Sequence, residues 1–255
     1  MPLRALFAGR EILAPLLTGY EWDQLRQQAR EQPGALVLPC CHQPGGLRVS
    51  RLGTRHFVHR PGAPCARTGE TFQHLKLKAD IVLACQAAGF AATTEVAGND
   101  WRADVLAGDG AARIAFEVQW SPQDLATTEF RQERYRRAGI RGCWFFRKPP
   151  ACPPRRDLPL FPIHWQADSA SGLVQLNGRR VDLGVFVKAL LGRQIRFCPA
   201  VREAERQQAI AYLSSGRCGR CGAESRWFAL PAGLRSGCGL AIPAGPGGAD
   251  RPELL

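Results

Sequence analysis

Asp104 and the run Glu117-Val118-Gln119 are the residues of this chain whose types and spacing best suit chemistry. Residues 101–120 read as two adjacent β-strands joined by a short turn at Gly108-Asp109-Gly110. In the second strand Ile114, Phe116, Val118 and Trp120 fall on one face, and Ala115, Glu117 and Gln119 on the other. A strand inside a sheet gains nothing from a charge, yet Glu117 interrupts this apolar run, and Asp104 sits similarly within Arg102-Ala103-Asp104-Val105-Leu106. Two carboxylates on neighbouring strands can hold a hard divalent cation such as Mg²⁺ or Mn²⁺ through oxygen. Such a cation polarises a phosphodiester and activates water, which is the chemistry of a metal-dependent nuclease. The competing account is a pair of edge or bulge acids facing solvent.

The elements that must position these acids form an ordered series. Residues 70–88 predict a helix, with Leu75, Val82 and Leu83 as apolar positions and Gly89 as the stop. Residues 90–96 predict a strand, followed by the two strands already described. Ser121-Pro122 starts a second helix over 123–138, ended by Gly139. Residues 140–146, with Trp144, Phe145 and Phe146, predict a last strand. The order helix-strand-strand-strand-helix-strand implies one α/β unit built on a mixed sheet.

These pieces together resemble the competence protein CoiA-like family. The resemblance rests on Glu70, His74 and Lys78, the strand around Asp104, the run from Ile114 through Glu117 to Ser121, Arg131 with Tyr135, and Gly139-Ile140 before Trp144. It covers residues from about 70 to 147 and extends more weakly upstream to Cys40-Cys41 and His56-Phe57-Val58-His59. It implies a restriction-endonuclease-like core of the PD-(D/E)XK nuclease superfamily, acting on DNA taken up during natural transformation. One departure matters: the superfamily motif ends in Lys two residues after the second acid, and here that position is Gln119. Gln can hydrogen-bond a water or a phosphate oxygen but brings no charge. The Glu-x-Gln form resembles that of CoiA-like members, and Lys78 is a candidate to supply the charge from the first helix.

Glu70, His74 and Lys78 recur every four residues and share a helix face. That face either turns toward the metal, with Glu70 organising the site and His74 or Lys78 meeting phosphate, or forms a solvated stripe. Glu95 could be a third acid, although a solvent-facing strand end is the expectation. From residue 131 to 156 there are nine Lys or Arg and one acid, Glu133, a balance of plus eight within a chain of net charge +12. Arg131, Arg134 and Arg137, with Tyr135 among them, make a basic patch suited to the phosphates of nucleic acid. Arg outnumbers Lys thirty to four, a bias that GC-rich coding would also produce.

The remaining chain predicts appendages to this core. Hydrophobic content of 45% is enough for a buried core, and no apolar run reaches the length of a membrane span. With no signal peptide apparent, a cytoplasmic protein is expected, and its ten Cys are expected to be thiols or metal ligands. Residues 1–68 predict a small β-rich module in which Cys41, His59 and Cys65, with one neighbour, could hold Zn²⁺. Residues 69–148 are the core. Residues 149–214 predict a Pro-rich linker and an α/β extension packed on the core, with strands at 161–166 and 173–176, a turn at Asn177-Gly178, and helices at 181–191 and 200–213. Residues 215–255 carry Cys218-Gly219-Arg220-Cys221, a half-site that Cys238 could extend for Zn²⁺, and end in a Gly- and Pro-rich stretch expected to be disordered. Cys85, Cys143 and Cys152 read as core or linker residues.

Two functions fit. The first is a Mg²⁺-dependent deoxyribonuclease in which Asp104 and Glu117 bind metal, Gln119 orients water, and Lys78 and Arg131 hold phosphates. The second is a non-catalytic DNA-binding adaptor whose zinc modules recruit recombination or competence partners. Gln119 favours the adaptor, and the intact carboxylates favour the enzyme. The strandedness of the DNA does not follow from the sequence.

Overall fold

The structure, a computed structural model, describes residues 1–62, 65, 70–108, 112–153 and 155–195, together with the backbone of four strands between residues 213 and 242. Its contacts divide into two units, Met1–Phe197 and Cys198–Leu255.

The first unit opens with an antiparallel sheet. β1 (Arg4–Phe7) pairs with β2 (Arg10–Leu13), and the chain then enters α1 (Gly19–Glu31). Thr18 and Glu21 start that helix with a reciprocal capping box, each side chain satisfying the other's backbone N–H. β3 (Leu36–Leu38), β4 (Gln43–Val49) and β5 (Arg55–His59) complete a sheet of order β2-β1-β3-β4-β5. Trp22 and Leu25 of α1 pack with Leu36, Leu38 and Phe57 in its core. The β-rich module expected here thus also contains a helix, which its polar composition concealed: only Trp22 and Leu25 are buried along its length.

α2 (Phe72–Ala87) begins the larger layer system. Thr71 caps it, so Glu70 lies just outside the helix it was expected to begin. Its buried residues, among them Leu75, Leu77, Ile81, Val82 and Cys85, occupy most of its circumference, whereas Leu83 faces solvent. A helix apolar nearly all round is one covered on several sides. Here α2 lies between the main sheet, α4 and Leu3 of the N-terminal module.

The strands β6 (Ala92–Ala97), β7 (Arg102–Ala107) and β8 (Arg113–Gln119), then α3 (Leu125–Arg137) and β9 (Ile140–Phe146), follow in the order the sequence predicts. β10 (Leu160–Gln166), β11 (Ser171–Leu176), β12 (Arg179–Asp182) and α4 (Leu183–Leu191) complete the unit. The seven strands form one mixed sheet of order β12-β11-β10-β9-β8-β7-β6, with β8-β9 and β9-β10 parallel. The extension therefore continues the core sheet edge to edge. Asn177 and Gly178, at φ 50° and 76°, form the tight turn between β11 and β12.

The alternation along β8 sorts the two faces of the sheet. Ile114, Phe116 and Val118 join α2 and α4 residues such as Ile81 and Phe186 in one core. Ala115 joins Tyr135, Trp144 and Phe146 in a second core under α3.

In the second unit, β13 (Leu213–Arg217), β14 (Glu224–Leu230), β15 (Gly233–Ser236) and β16 (Ala241–Ile242) form an antiparallel sheet in that order. Leu213, expected to end a helix, opens a strand, and Ala241–Ile242, expected to be disordered, pairs with β15. The rest of the helix expected over 200–213 and the rest of the tail lie outside the described residues, as do Cys198, Cys218, Cys221 and Cys238.

Candidate active site and metal centre

Strand register explains why two acids meet where they do. β7 and β8 are paired at Ala107–Ile114, Leu106–Ala115 and Val105–Phe116, and the pairing ends there. The next step along the strands brings Asp104 and Glu117. At that fork Asp104 Oδ2 accepts the Val118 backbone N–H at 3.0 Å, so a side chain occupies the place of a ladder bond. On the other edge of β7, Thr94–Val105 and Val96–Ala103 pair, while Glu95 between them stands at φ 57°. A non-glycine residue at positive φ costs about 1–3 kcal/mol and persists where surrounding contacts demand it.

The carboxylates open onto a cleft of about 380 Å³, lined also by Glu70, His74, Lys78, Glu95, Gln119 and Arg131. Glu117 is fully buried. Its carboxylate accepts from Arg131 Nη2 at 2.5 Å and from the Tyr135 hydroxyl, both on α3. Burial, followed by the charge of Asp104, pushes Glu117 up to about 8, against the pull of Arg131 and Tyr135. Burial works in the same direction on Asp104, but the hydrogen bond and charge of His74, with Lys78 and the Val118 N–H, outweigh it and hold Asp104 well below the usual carboxylate range. Neighbouring carboxylates driven apart in this way are a mark of functional sites.

Behind the carboxylates lies a buried charge network. His74 spans Asp104 and Glu70, with Nε2 3.3 Å from Asp104 Oδ2 and Nδ1 3.1 Å from Glu70 Oε1. Lys78 Nζ lies 2.6 Å from Glu70 and 3.2 Å from Glu95. Burial disfavours the Lys78 charge, but Glu70, Glu95 and Asp104 more than compensate, so its ammonium is held above its ordinary value. The solvated-stripe account of this face fails, because Lys78 is 2% exposed. Glu95 is likewise no solvent-facing strand end, since its side chain is 10% exposed and paired to Lys78 and Arg102.

Other expected residues separate by burial. Tyr135, expected at the nucleic-acid surface, is 1% exposed, and Glu117 and the Arg102 carbonyl are the two acceptors within reach of its single hydroxyl proton. It positions an acid rather than contacting a polyanion. Arg134 and Arg137 do reach the surface; Arg137 is paired with Glu133. The relation of Arg131 and Tyr135 to Glu117 escaped the sequence reading, although their i, i+4 spacing places them on one face of α3.

A separate candidate metal centre stands in the N-terminal module. The ligand atoms of Cys40, Cys41, His59 and Cys65 lie within 4.8 Å of one another and could hold a metal ion such as zinc. Cys40 Sγ is 3.9 Å from the sulfurs of both Cys41 and Cys65, and 3.3 Å from His59 Nε2. A tetrahedron with metal–sulfur bonds of about 2.3 Å has sulfur–sulfur edges of about 3.8 Å, so the spacing fits. Cys40 is thus the fourth partner for Cys41, His59 and Cys65. His56 is buried instead against the Thr54 carbonyl. Cys85 and Cys143 are buried core thiols, and burial pushes Cys85 up to about 12.

A mixed sheet flanked by helices, forked at a pair of carboxylates with basic residues alongside, defines a nuclease-like α/β domain. Residues 70–156, roughly a third of the chain, match the family model of the competence protein CoiA, nuclease-like domain. Over those residues the chain is similar to a nuclease-like domain of a competence-related family. No curated protein and no solved structure matches the chain significantly.

Proposed function

We propose that this protein is a divalent-metal-dependent deoxyribonuclease that processes incoming DNA in the cytoplasm during natural transformation. The observation that carries the reading is the fork between β7 and β8, where Asp104 and the buried Glu117 face one cleft. The donor set fits a hard cation: carboxylate oxygens, with the Val118 carbonyl as a further candidate on the same strand. Mg²⁺ or Mn²⁺ held by Asp104 and Glu117 would polarise the scissile phosphodiester and activate water for its hydrolysis.

The chain's own residues do the rest. His74 and the Val118 N–H orient Asp104, and Tyr135 and Arg131 orient Glu117. Lys78 neutralises Glu70 and Glu95, so its ammonium stabilises the acid-rich cleft and is not spare for the reacting phosphate. Gln119 lines the same cleft, and its amide can hydrogen-bond the attacking water or a phosphate oxygen. Arg131, already at the cleft wall, and Arg134 contribute attraction for the DNA backbone. In the N-terminal module, Cys40, Cys41, His59 and Cys65 would hold a structural Zn²⁺.

Cleavage of single- and double-stranded DNA with Mg²⁺, with Mn²⁺ and with chelator tests this reading. Wild type should cut only with metal, and Asp104→Ala or Glu117→Ala should lower the rate by at least about 100-fold, the scale on which electrostatic stabilisation at an active site is lost. Gln119→Lys, which restores the commoner superfamily residue, should retain or raise activity. Gln119 and the Cys/His cluster also favour a second reading, a non-catalytic DNA-binding adaptor that recruits recombination partners. Protein that binds DNA while neither wild type nor Gln119→Lys cuts it with either metal would establish the adaptor.

A further inference from the structure

A second cavity, of about 340 Å³, adjoins the acidic cleft and shares Arg102 and Arg131 with it. Its other walls come from the loop between β6 and β7, residues 98–101, and from Arg134 and Tyr135 of α3. The acids that crowd the first cleft are missing from its lining, where Asp100 is the carboxylate present and lies 3.9 Å from Arg134 Nε. What distinguishes it is Trp101, a partly buried aromatic residue at the mouth of a basic hollow.

The loop is built to seat that indole. The Gly98 N–H donates to the Trp101 carbonyl at 2.8 Å, which closes the turn. A Cβ at position 98 would lie 2.3 Å from Trp101 Cε2, so the ring rests where only glycine leaves room. Tyr135 flanks it, with ring centroids 5.9 Å apart and the planes tilted by 56°. Tyr135 is in turn tied to Glu117, which links the position of Trp101 to that of a site carboxylate. Arg102 and Arg134 line the same cavity as the ring, with side chains 47% and 36% exposed, and Arg134 lies over Phe130 at 4.1 Å. An aromatic face in a cavity that arginines also line can form a stacking platform for bases whose phosphates the arginines hold. Paired bases in a duplex already stack on one another and offer no free face, so such a platform selects an unpaired strand.

We propose that this second cavity receives an unpaired base of the DNA strand lying in the acidic cleft, with the Trp101 indole as stacking surface and Arg102 and Arg134 holding the flanking phosphates. The proposal rests on the nucleic-acid reading above and adds strandedness to it: the substrate enters as a single strand, or as a duplex locally opened. The volume, about 340 Å³, lies in the range of about 300–1,000 Å³ found for small-molecule pockets and suits a single base. Asp100 at the rim can accept from an exocyclic amino group of that base.

Fluorescence anisotropy without divalent metal, so that nothing is cut, tests the site. The probes are labelled oligothymidylate, an abasic deoxyribose-phosphate oligomer of equal length, and a blunt duplex. Wild type should bind thymidylate about tenfold more tightly than the abasic strand, the worth of roughly one stacked base. Trp101→Ala should remove that preference and leave duplex affinity unchanged, while Trp101→Phe should keep most of it. Equal binding of thymidylate and abasic strand by wild type overturns the stacking site whether or not the variants fold, and leaves the nuclease reading standing. Duplex binding without single-strand binding has the same consequence. Failure of wild type to bind any of the three probes overturns both.

Discussion

Glu117 is the residue whose environment says most about how the cleft would work. Its proton is held up to about 8 by burial and by the charge of Asp104, so between its ordinary value of 4.5 and about 8 the folded protein keeps a proton that the unfolded chain has lost. That contribution to stability is fully present below 4.5 and disappears as the pH rises through about 8. Asp104 runs the other way: its depressed value stabilises the fold above the ordinary 3.8 and the benefit is lost in acid. A cation binding Glu117 must displace its proton below about pH 8, so Mn²⁺ affinity should climb by up to about tenfold per pH unit and level off above that point. Calorimetric titration with Mn²⁺ in buffers of different ionisation enthalpy checks this, since proton release should accompany binding at pH 6.5 and vanish near pH 9. Glu117→Gln should abolish the proton release. A flat affinity from pH 6 to 9 would show that Glu117 is not displaced by the metal.

At the scale of the element, α2 does more than support the sheet. Its Lys78 is a buried cation shared by Glu70 before the helix and Glu95 on β6, and thereby joins three segments at the cleft. Removing one partner of a buried ion pair leaves uncompensated charge, at a cost of about 3–5 kcal/mol. Lys78→Met should therefore destabilise the protein by about 3 kcal/mol, measured by urea unfolding at pH 7. The loss should shrink in the triple change Lys78→Met, Glu70→Gln, Glu95→Gln, where no orphaned acids remain. An unchanged midpoint for Lys78→Met would place the ammonium in solvent. α3 has the matching role on the other face, for Arg131 and Tyr135 one turn apart both reach Glu117.

At the scale of the molecule, the N-terminal module and the nuclease-like domain form one unit, Met1–Phe197. Leu3 packs with Leu75 and Ala79 of α2, and Arg4 donates to the Glu95 carbonyl at 3.2 Å. The candidate metal centre gathers Cys40 and Cys41 after β3, His59 at the end of β5, and Cys65 beyond it. Metal binding to such a set is folding free energy for the segment that carries it. Purified protein should contain zinc, and Cys41→Ser with Cys65→Ser should lose about one equivalent by elemental analysis while the nuclease-like domain stays folded. Full metal content in that double variant would exclude the centre as a zinc site.

The element order of the nuclease-like domain was legible in the sequence because period, caps and breakers are local. The alternation of β8 and the glycines at 89 and 139 each act within a few residues, and β9 occupies residues 140–146 as read. The second helix, expected to start at Ser121-Pro122, instead begins at Leu125, where Asp124 caps it by accepting the Thr127 N–H. The two carboxylates were legible for a related reason, since an acid within an apolar strand stands against its neighbours. Residues distant in sequence decided the rest. Whether Glu95 faces water depends on Lys78, seventeen positions away; whether Tyr135 meets DNA depends on Glu117, eighteen positions away. The place of Cys40 in a metal centre depends on β4 and β5 folding His59 and Cys65 back onto it. Local chemistry sets which segments become helix or strand, but burial and charge pairing are properties of the assembled layers, and only the tertiary structure decides which titratable groups share a dielectric.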